Sequence, residues 1–126
     1  MMAVHQVVVT ASPRDAVTNA AYEIRRLLRL VGPSEIFAEN VDPVLLGEVL
    51  PLSEYPARVR GASGDHTLLF HASIGAPRVF DFVRRRREQL IIVYHNVSPA
   101  ASFAPYDPAF AALLAEGRRD VATLTD

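Results

Sequence analysis

The chain has 126 residues, of which 50% are apolar, so we expect one globular domain and exclude intrinsic disorder as its main state. Its 13 basic and 14 acidic residues leave a net charge of −1, which does not favour a nucleic-acid partner. The absence of cysteine and lysine excludes disulfides, thiolate metal sites, cysteine nucleophiles and lysine Schiff bases.

The first half of the chain predicts two strands on either side of one helix. Val4–Thr10 is short and rich in valine, as is typical of a buried strand. Ala16–Val31 has helical periodicity and is followed by Gly32-Pro33, which ends a helix. Ser34–Asn40 holds a short apolar run between polar flanks and predicts a second strand. In the proline-containing segment that follows, Val44–Leu50 predicts a short helix.

The second half continues this alternation. His66–Ser73 and Leu90–His95 are apolar runs that predict a third and a fourth strand. Pro77–Arg87 predicts the helix between them, and a long helix is predicted from Asp107 to the C-terminus. Strands that alternate with helices favour an α/β fold of the Rossmann-like three-layer α/β/α type, with helices on both faces of a mostly parallel sheet. The chain ends on a helix without a further strand, which we interpret as a sign of truncation.

No targeting or membrane-spanning segment is predicted. The first basic residue is Arg14, so no positively charged segment precedes the short apolar run Val7–Val9. The longest apolar stretch, Ala109–Ala115, is too short to cross a bilayer. We therefore expect a cytoplasmic protein.

Polar side chains lie at or just beyond the carboxyl ends of three of the predicted strands. They are Arg14, Asp15, His71, Ser73, His95 and Asn96. Because ligands of open parallel sheets bind beyond the carboxyl ends of the strands, we expect these residues to converge on one crevice. His95 stands beside Asn96 and before a proline-bounded loop, which favours a functional role. A structural role is favoured for His71 taken alone, and also for His5 and His66 at the strand starts.

Several other kinds of site are not predicted. His71 and His95 lack a third ligand at a suitable spacing, so no metal site is expected. No G-x-G-x-x-G follows the first strand and no G-x-S-x-G occurs, which argues against a dinucleotide oxidoreductase and against a hydrolase nucleophile. The run Arg84–Arg87 is interpreted as a solvated helix end, because adjacent residues circle a helix. The alternative for this run is a contact with anionic lipid headgroups or with a partner.

The chain resembles a known family along most of its length. The stretches that carry the resemblance are VHQVVVTASPRDAVTNAA, LLRLVGPSEIFAE, LLFHASIG, IIVYHNVSPAASFAPYD and EGRRDVATL. Together they resemble the N-terminal half of the family-four retaining glycosyltransferases, which have the GT-B architecture. This resemblance implies two Rossmann-like domains that face each other across a cleft. The N-terminal domain mainly holds the acceptor, and the C-terminal domain holds the nucleotide-sugar donor.

The resemblance also implies roles for the residues at the strand ends. His95 matches a histidine that lies near the transferred sugar, and Asn96 belongs to the same motif. The loop that contains Ser12, Arg14 and Asp15 matches one that approaches the donor phosphates and the acceptor. His71 and Ser73 match a second motif that lines the cleft. The family usually has glycine where Arg14 stands, and arginine there either crowds the loop or supplies a charge.

The resemblance makes residues 1–126 the acceptor-side domain of a longer enzyme, one half of a GT-B fold, that lacks its donor-binding domain. The chain alone is expected to be inactive, because it has few basic groups beyond Arg14 to stabilise the departing diphosphate. The nucleotide sugar is then a substrate, and no cofactor or metal is expected. The expected partners are the donor-binding domain and a sugar, glycan or lipid acceptor. Peripheral contact with the inner face of a membrane and self-association stay open.

Two other functions are compatible with parts of the pattern. One is a stand-alone Rossmann-like binding or interaction module without catalysis, which a closed polar surface around His71 and His95 would favour. The other is a nucleotide-binding switch of the flavodoxin-like type. The chain lacks a phosphate-cradling loop and an acidic cluster at the strand ends, which argues against this switch.

Overall fold

The computed structural model describes residues 3–59, 66–95 and 104–124. In these ranges strands alternate with helices. The strands are β1 (Ala3–Ala11), β2 (Ile36–Val41), β3 (Leu50–Pro51), β4 (His66–Ala72) and β5 (Gln89–Tyr94). The α-helices are α1 (Ala16–Leu28), α2 (Tyr55–Val59), α3 (Pro77–Arg85) and α4 (Pro108–Leu124). Short 3₁₀ turns lie at Pro43–Leu45 and Leu52–Glu54.

The strands form one all-parallel five-stranded sheet in the order β3-β2-β1-β4-β5. The central strand β1 pairs with β2 on one side and with β4 on the other, so Val7 lies opposite both Phe37 and Phe70. The predicted α/β fold class, of the Rossmann-like three-layer type with a mostly parallel sheet, is confirmed. The strand order reverses between β1 and β4, and this reversal point is where open α/β sheets bind their ligands.

The chain divides into two compact units. The first comprises residues 1–71 and 87–93, and the second comprises residues 72–86 and 94–126. The first unit contains β1, β2, β3, α1 and α2, together with most of β4 and β5. The second unit contains α3 and α4.

The core of the first unit includes most of the residues of β1. One cluster of buried residues consists of Val8, Ala11, Ala21, Ile36, Ala38 and Val49. Elsewhere in this unit the ring of Phe37 meets the ring of Tyr55 edge-on, with 5.0 Å between their centroids, and both side chains are fully buried. Full burial of one such aromatic side chain contributes about 1.5–3 kcal/mol. The prediction of a buried strand from the valine-rich run is confirmed by β1.

Two predicted segments are corrected by the structure. The first helix ends at Leu28 rather than Val31, because the amides of Leu30 and Val31 bond to carbonyls three residues back and tighten the last turn. The prediction of a helix over Val44–Leu50 is wrong. Pro43 begins a single 3₁₀ turn there, and the chain then extends into β3.

The arginine run Arg84–Arg87 begins in the last turn of α3, and Arg84 is engaged within the second unit. Arg84 donates to Asp81 at 3.1 Å and to the hydroxyl of Thr123 at 2.7 Å, and it lies 3.7 Å from the Asp120 carboxylate. Arg84 therefore joins α3 to α4. No helix among the described residues is both long and apolar enough to cross a membrane.

Arg25 is a buried arginine that joins α1 to the segment before β3. Arg25 is 8% exposed. Its guanidinium donates to the Glu48 carbonyl at 2.6 Å and to the Glu48 carboxylate at 3.0 Å. The guanidinium also lies 5.0 Å from the centroid of the Tyr22 ring. The next residue, Arg26, pairs with Glu23 on the exposed face of the same helix.

We predict that Arg25→Ala lowers the free energy of unfolding by about 2 kcal/mol, because it removes charge-assisted hydrogen bonds and buried packing. The matched control Arg26→Ala is expected to lower it by less than about 0.5 kcal/mol, as for other exposed pairs on helices. Urea unfolding of the two variants measures both values. Equal effects would contradict the structural role of Arg25.

Candidate functional site

The loop between β1 and α1 lies at the carboxyl end of the central strand and is fixed by its own side chains. Asp15 caps α1, since its carboxylate accepts hydrogen bonds from the amide and the hydroxyl of Thr18, both at 2.8 Å. The Thr18 hydroxyl in turn accepts a hydrogen bond from the Ser12 amide at 3.2 Å. Ser12 and Asp15, two of the predicted site residues, thus meet at Thr18 and set the shape of the loop.

Arg14 has an unusual backbone conformation within this loop. Its φ angle is +60°, in the left-handed region, and among the described residues no other non-glycine residue has a positive φ. For an L-residue this conformation is about 1–2 kcal/mol less favourable than the right-handed one, whereas glycine adopts it freely. The side chain of Arg14 is exposed. The loop therefore has a backbone shape suited to glycine and carries an exposed positive charge at Arg14.

His71 lies in the interior of the first unit. It is fully buried, and its Nε2 lies 2.7 Å from Gln6 Oε1. Since this Gln6 oxygen carries no proton, His71 Nε2 is the donor. The Gln6 amide donates to the Ala21 carbonyl of α1 at 2.9 Å. The family resemblance implies that His71 lines the cleft, whereas the residue taken alone favours a structural role. In the structure His71 forms an internal hydrogen bond in a chain that links β4, β1 and α1.

Sequence reasoning did not single out Gln6. Its signal was weak but visible, because Gln6 is a polar residue set directly before the apolar run Val7–Val9. A polar residue in a buried strand must find hydrogen-bond partners. The partner His71 is 65 residues away along the chain, so the pairing itself could not be foreseen from local pattern.

Ser73 and His95 are brought together in the second unit. The His95 amide donates to the Ala72 carbonyl at 3.0 Å, so the ends of β4 and β5 lie side by side there. Both Ser73 and His95 are half-buried, which leaves part of each residue in contact with solvent. Asn96, the other predicted residue of this motif, lies outside the described residues.

A contact between two glycines positions the loop that begins at Ser73. The Gly75 amide donates to the Leu113 carbonyl of α4 at 2.9 Å. A Cβ atom on Gly117 would lie only 2.8 Å from the Gly75 nitrogen and 2.8 Å from the Ile74 carbonyl carbon. Helix α4 therefore packs directly on the backbone of this loop, and Gly117 is required by the close approach.

An open hollow of about 500 Å³ adjoins this motif in the second unit. It is lined by Tyr94, Arg118, Val121 and Ala122. It is shallow and open to solvent. The half-exposed ring of Tyr94, which directly precedes His95, offers a stacking face, while Arg118 offers a positive charge and the two aliphatic residues an apolar wall.

The described residues thus present two groups of candidate side chains. Ser12, Arg14 and Asp15 share one loop of the first unit, and Ser73 and His95 are neighbours in the second. Over residues 3–59, 66–95 and 104–124, no group of three or more histidine, aspartate or glutamate side chains is placed to hold a metal ion.

The chain was compared with models of protein families, with curated proteins and with solved structures. No significant match was found in any of the three comparisons.

We predict that Arg14→Gly raises the free energy of unfolding by about 0.5–1 kcal/mol, because glycine relieves the left-handed strain at a small entropic loss. The control Arg14→Ala keeps the strain and should change stability by less than about 0.5 kcal/mol. Thermal unfolding of both variants makes the comparison. Destabilisation by the glycine would show that the Arg14 backbone is not strained.

Gly117→Ala is expected to lower the free energy of unfolding by about 1–3 kcal/mol, because the new methyl group meets backbone rather than a movable side chain. Helix propensity alone predicts the opposite sign, a gain of up to about 1 kcal/mol. Chemical unfolding decides between the two. A stabilised variant would contradict the close approach of α4 to the Ser73 loop.

Proposed function

We propose that this chain is the acceptor-side domain of a retaining GT-B glycosyltransferase, which transfers a sugar from a nucleotide-sugar donor to an acceptor. The observation that carries this proposal is the left-handed backbone at Arg14, at the carboxyl end of the central strand. The resembled family usually has glycine at this position, and glycine is the residue that favours this conformation. At this position the chain therefore departs from the family in its side chain, and its backbone has a conformation that glycine adopts freely.

The β1–α1 loop is proposed to approach the donor phosphates. Asp15 and Thr18 fix the first turn of α1, so the loop does not have to be ordered when substrate binds. Arg14 adds an exposed guanidinium, and a guanidinium binds phosphate oxygens with strong, charge-assisted hydrogen bonds. A positive charge at this point would stabilise the departing diphosphate in the transition state.

His95 is proposed to contact the transferred sugar, and Ser73 to bind it from the adjacent loop. The imidazole of His95 can donate or accept a hydrogen bond, which suits a sugar hydroxyl. The backbone bond from His95 to Ala72 and the packing of Gly117 on the Ser73 loop hold both residues on rigid elements. Asn96 is included in this motif on the family resemblance.

The hollow at Tyr94 is proposed as part of the acceptor subsite. An aromatic face and an aliphatic wall suit the apolar face of a sugar or the first part of a lipid, and Arg118 suits an acidic or phosphorylated group. A lipid acceptor would place the protein in the cytoplasm at the inner face of a membrane. The partners in this proposal are the donor-binding domain and the acceptor, with no cofactor or metal.

The proposal is tested with the natively expressed gene product that contains this chain. We expect it to transfer sugar from a mixture of nucleotide sugars to extracted glycan or lipid acceptors, while the 126-residue chain alone transfers none. His95→Ala should lower the rate about 100-fold or more, as for the loss of a group that touches the reacting atoms. The control His66→Ala removes a histidine from the opposite end of a strand and should keep the rate within about threefold.

Two results would contradict the proposal. Transfer by the 126-residue chain without a partner would show that this domain is not merely the acceptor side. No transfer by the native product, at a native mass equal to that of this chain, would favour the stand-alone binding module instead.

A further inference from the structure

The amino end of the sheet contains a histidine that works as a hydrogen-bond acceptor. His5, near the start of β1, is 6% exposed. Its Nδ1 lies 3.1 Å from the backbone nitrogen of Glu35, just before β2. A backbone N–H can only donate, so His5 Nδ1 must be unprotonated for this bond to exist. The bond adds to the pairing of Val4 with Pro33 and of Gln6 with Glu35, which joins this segment to β1.

Aromatic rings enclose the imidazole of His5. The ring of Phe37 lies 5.7 Å from it and the ring of Tyr55, the first residue of α2, lies 6.0 Å from it, both edge-on. The ring of His66, at the start of β4, lies 6.1 Å away. His5 therefore contacts residues from β2, α2 and β4 at once, and its charge would be felt by each of them.

Charged groups surround this cluster on several sides. Glu35 forms ion pairs with Arg29 at 2.6 Å and with Arg58 of α2 at 3.6 Å. Glu88, before β5, accepts a hydrogen bond from the Tyr55 hydroxyl at 2.8 Å. Glu35 and Glu88 favour a proton on His5, whereas His66 and Arg58 oppose it.

We propose that His5 is an acid-sensitive latch, in which the neutral imidazole holds residues 33–35 and α2 against β1, and uptake of a proton at Nδ1 releases them. The proton comes from solvent and occupies the lone pair that accepts the Glu35 amide. Two N–H donors then face each other, and a positive charge enters a site that already contains Arg58 and His66. Both changes destabilise the closed arrangement.

The direction of the pH effect follows from burial. Burial, followed by the charge of His66, lowers the pKa of His5 below its ordinary value of 6.5. The unfolded or opened chain therefore binds this proton more tightly than the closed one. The stabilising free energy of the latch is fully present above pH 6.5, and it is lost as the pH falls through the lowered pKa of the folded state.

The latch is tested by NMR titration of the chain between about pH 8 and about pH 5, the range in which histidines titrate. We expect the His5 ring and the Glu35 amide to shift together, with one shared midpoint below 6.5. In His5→Asn, the side-chain oxygen still accepts from the Glu35 amide but does not titrate. The Glu35 amide should then lose its shift in this range, and the fall in melting temperature between the two pH values should be less than half that of the wild type.

The control His95→Asn removes a histidine from the second unit and should leave the Glu35 titration unchanged. If His5→Asn does not fold, the wild-type titration alone decides the matter. A Glu35 amide that does not move with the His5 ring, or a His5 midpoint at or above 6.5, would overturn the proposal. Its failure would leave the glycosyltransferase proposal untouched, because the two rest on opposite ends of β1.

Discussion

The first unit depends on one buried side chain in the central strand, the carboxamide of Gln6. Gln6 donates to the Ala21 carbonyl of α1 and accepts from His71 of β4, so one side chain fixes a helix and a neighbouring strand relative to β1. A buried polar group without its partner lowers the free energy of unfolding by about 1–3 kcal/mol. Any other register of these elements is therefore disfavoured. Once α1 is fixed against β1, the loop between them has little freedom.

That lack of freedom explains how a strained residue persists at Arg14. On the helix side, the Asp15 cap and the Thr18 hydroxyl hold the loop by hydrogen bonds. On the strand side, the loop is held by the buried end of β1. Backbone strain survives where its surroundings over-determine the conformation, and such positions cluster at functional sites. The left-handed residue, its exposed positive charge and its place beside the reversal of the strand order therefore point to the same end of β1.

Much of the fold was predictable because its signals are local. Runs of β-branched residues marked the strands, and the alternation with helices gave the parallel sheet. The misses have physical reasons as well. Helix α2 and the 3₁₀ turn at Pro43–Leu45 are shorter than the window over which periodicity can be counted. At the site, the sequence placed Ser73 and His95 at the ends of two strands, and the structure has these two strand ends side by side. His71 precedes the end of β4 by one residue and lies in the interior, against a partner distant in sequence.

The proposed role is tested most directly by the intact mass of the gene product isolated from cells that express it naturally. As the acceptor side of a two-domain enzyme, this chain should occur in a product heavier than 13.8 kDa by about one further domain of 100–200 residues. That product should carry the sugar-transfer activity. A native product of 13.8 kDa without a bound partner would contradict the role and make the chain a module that works on its own.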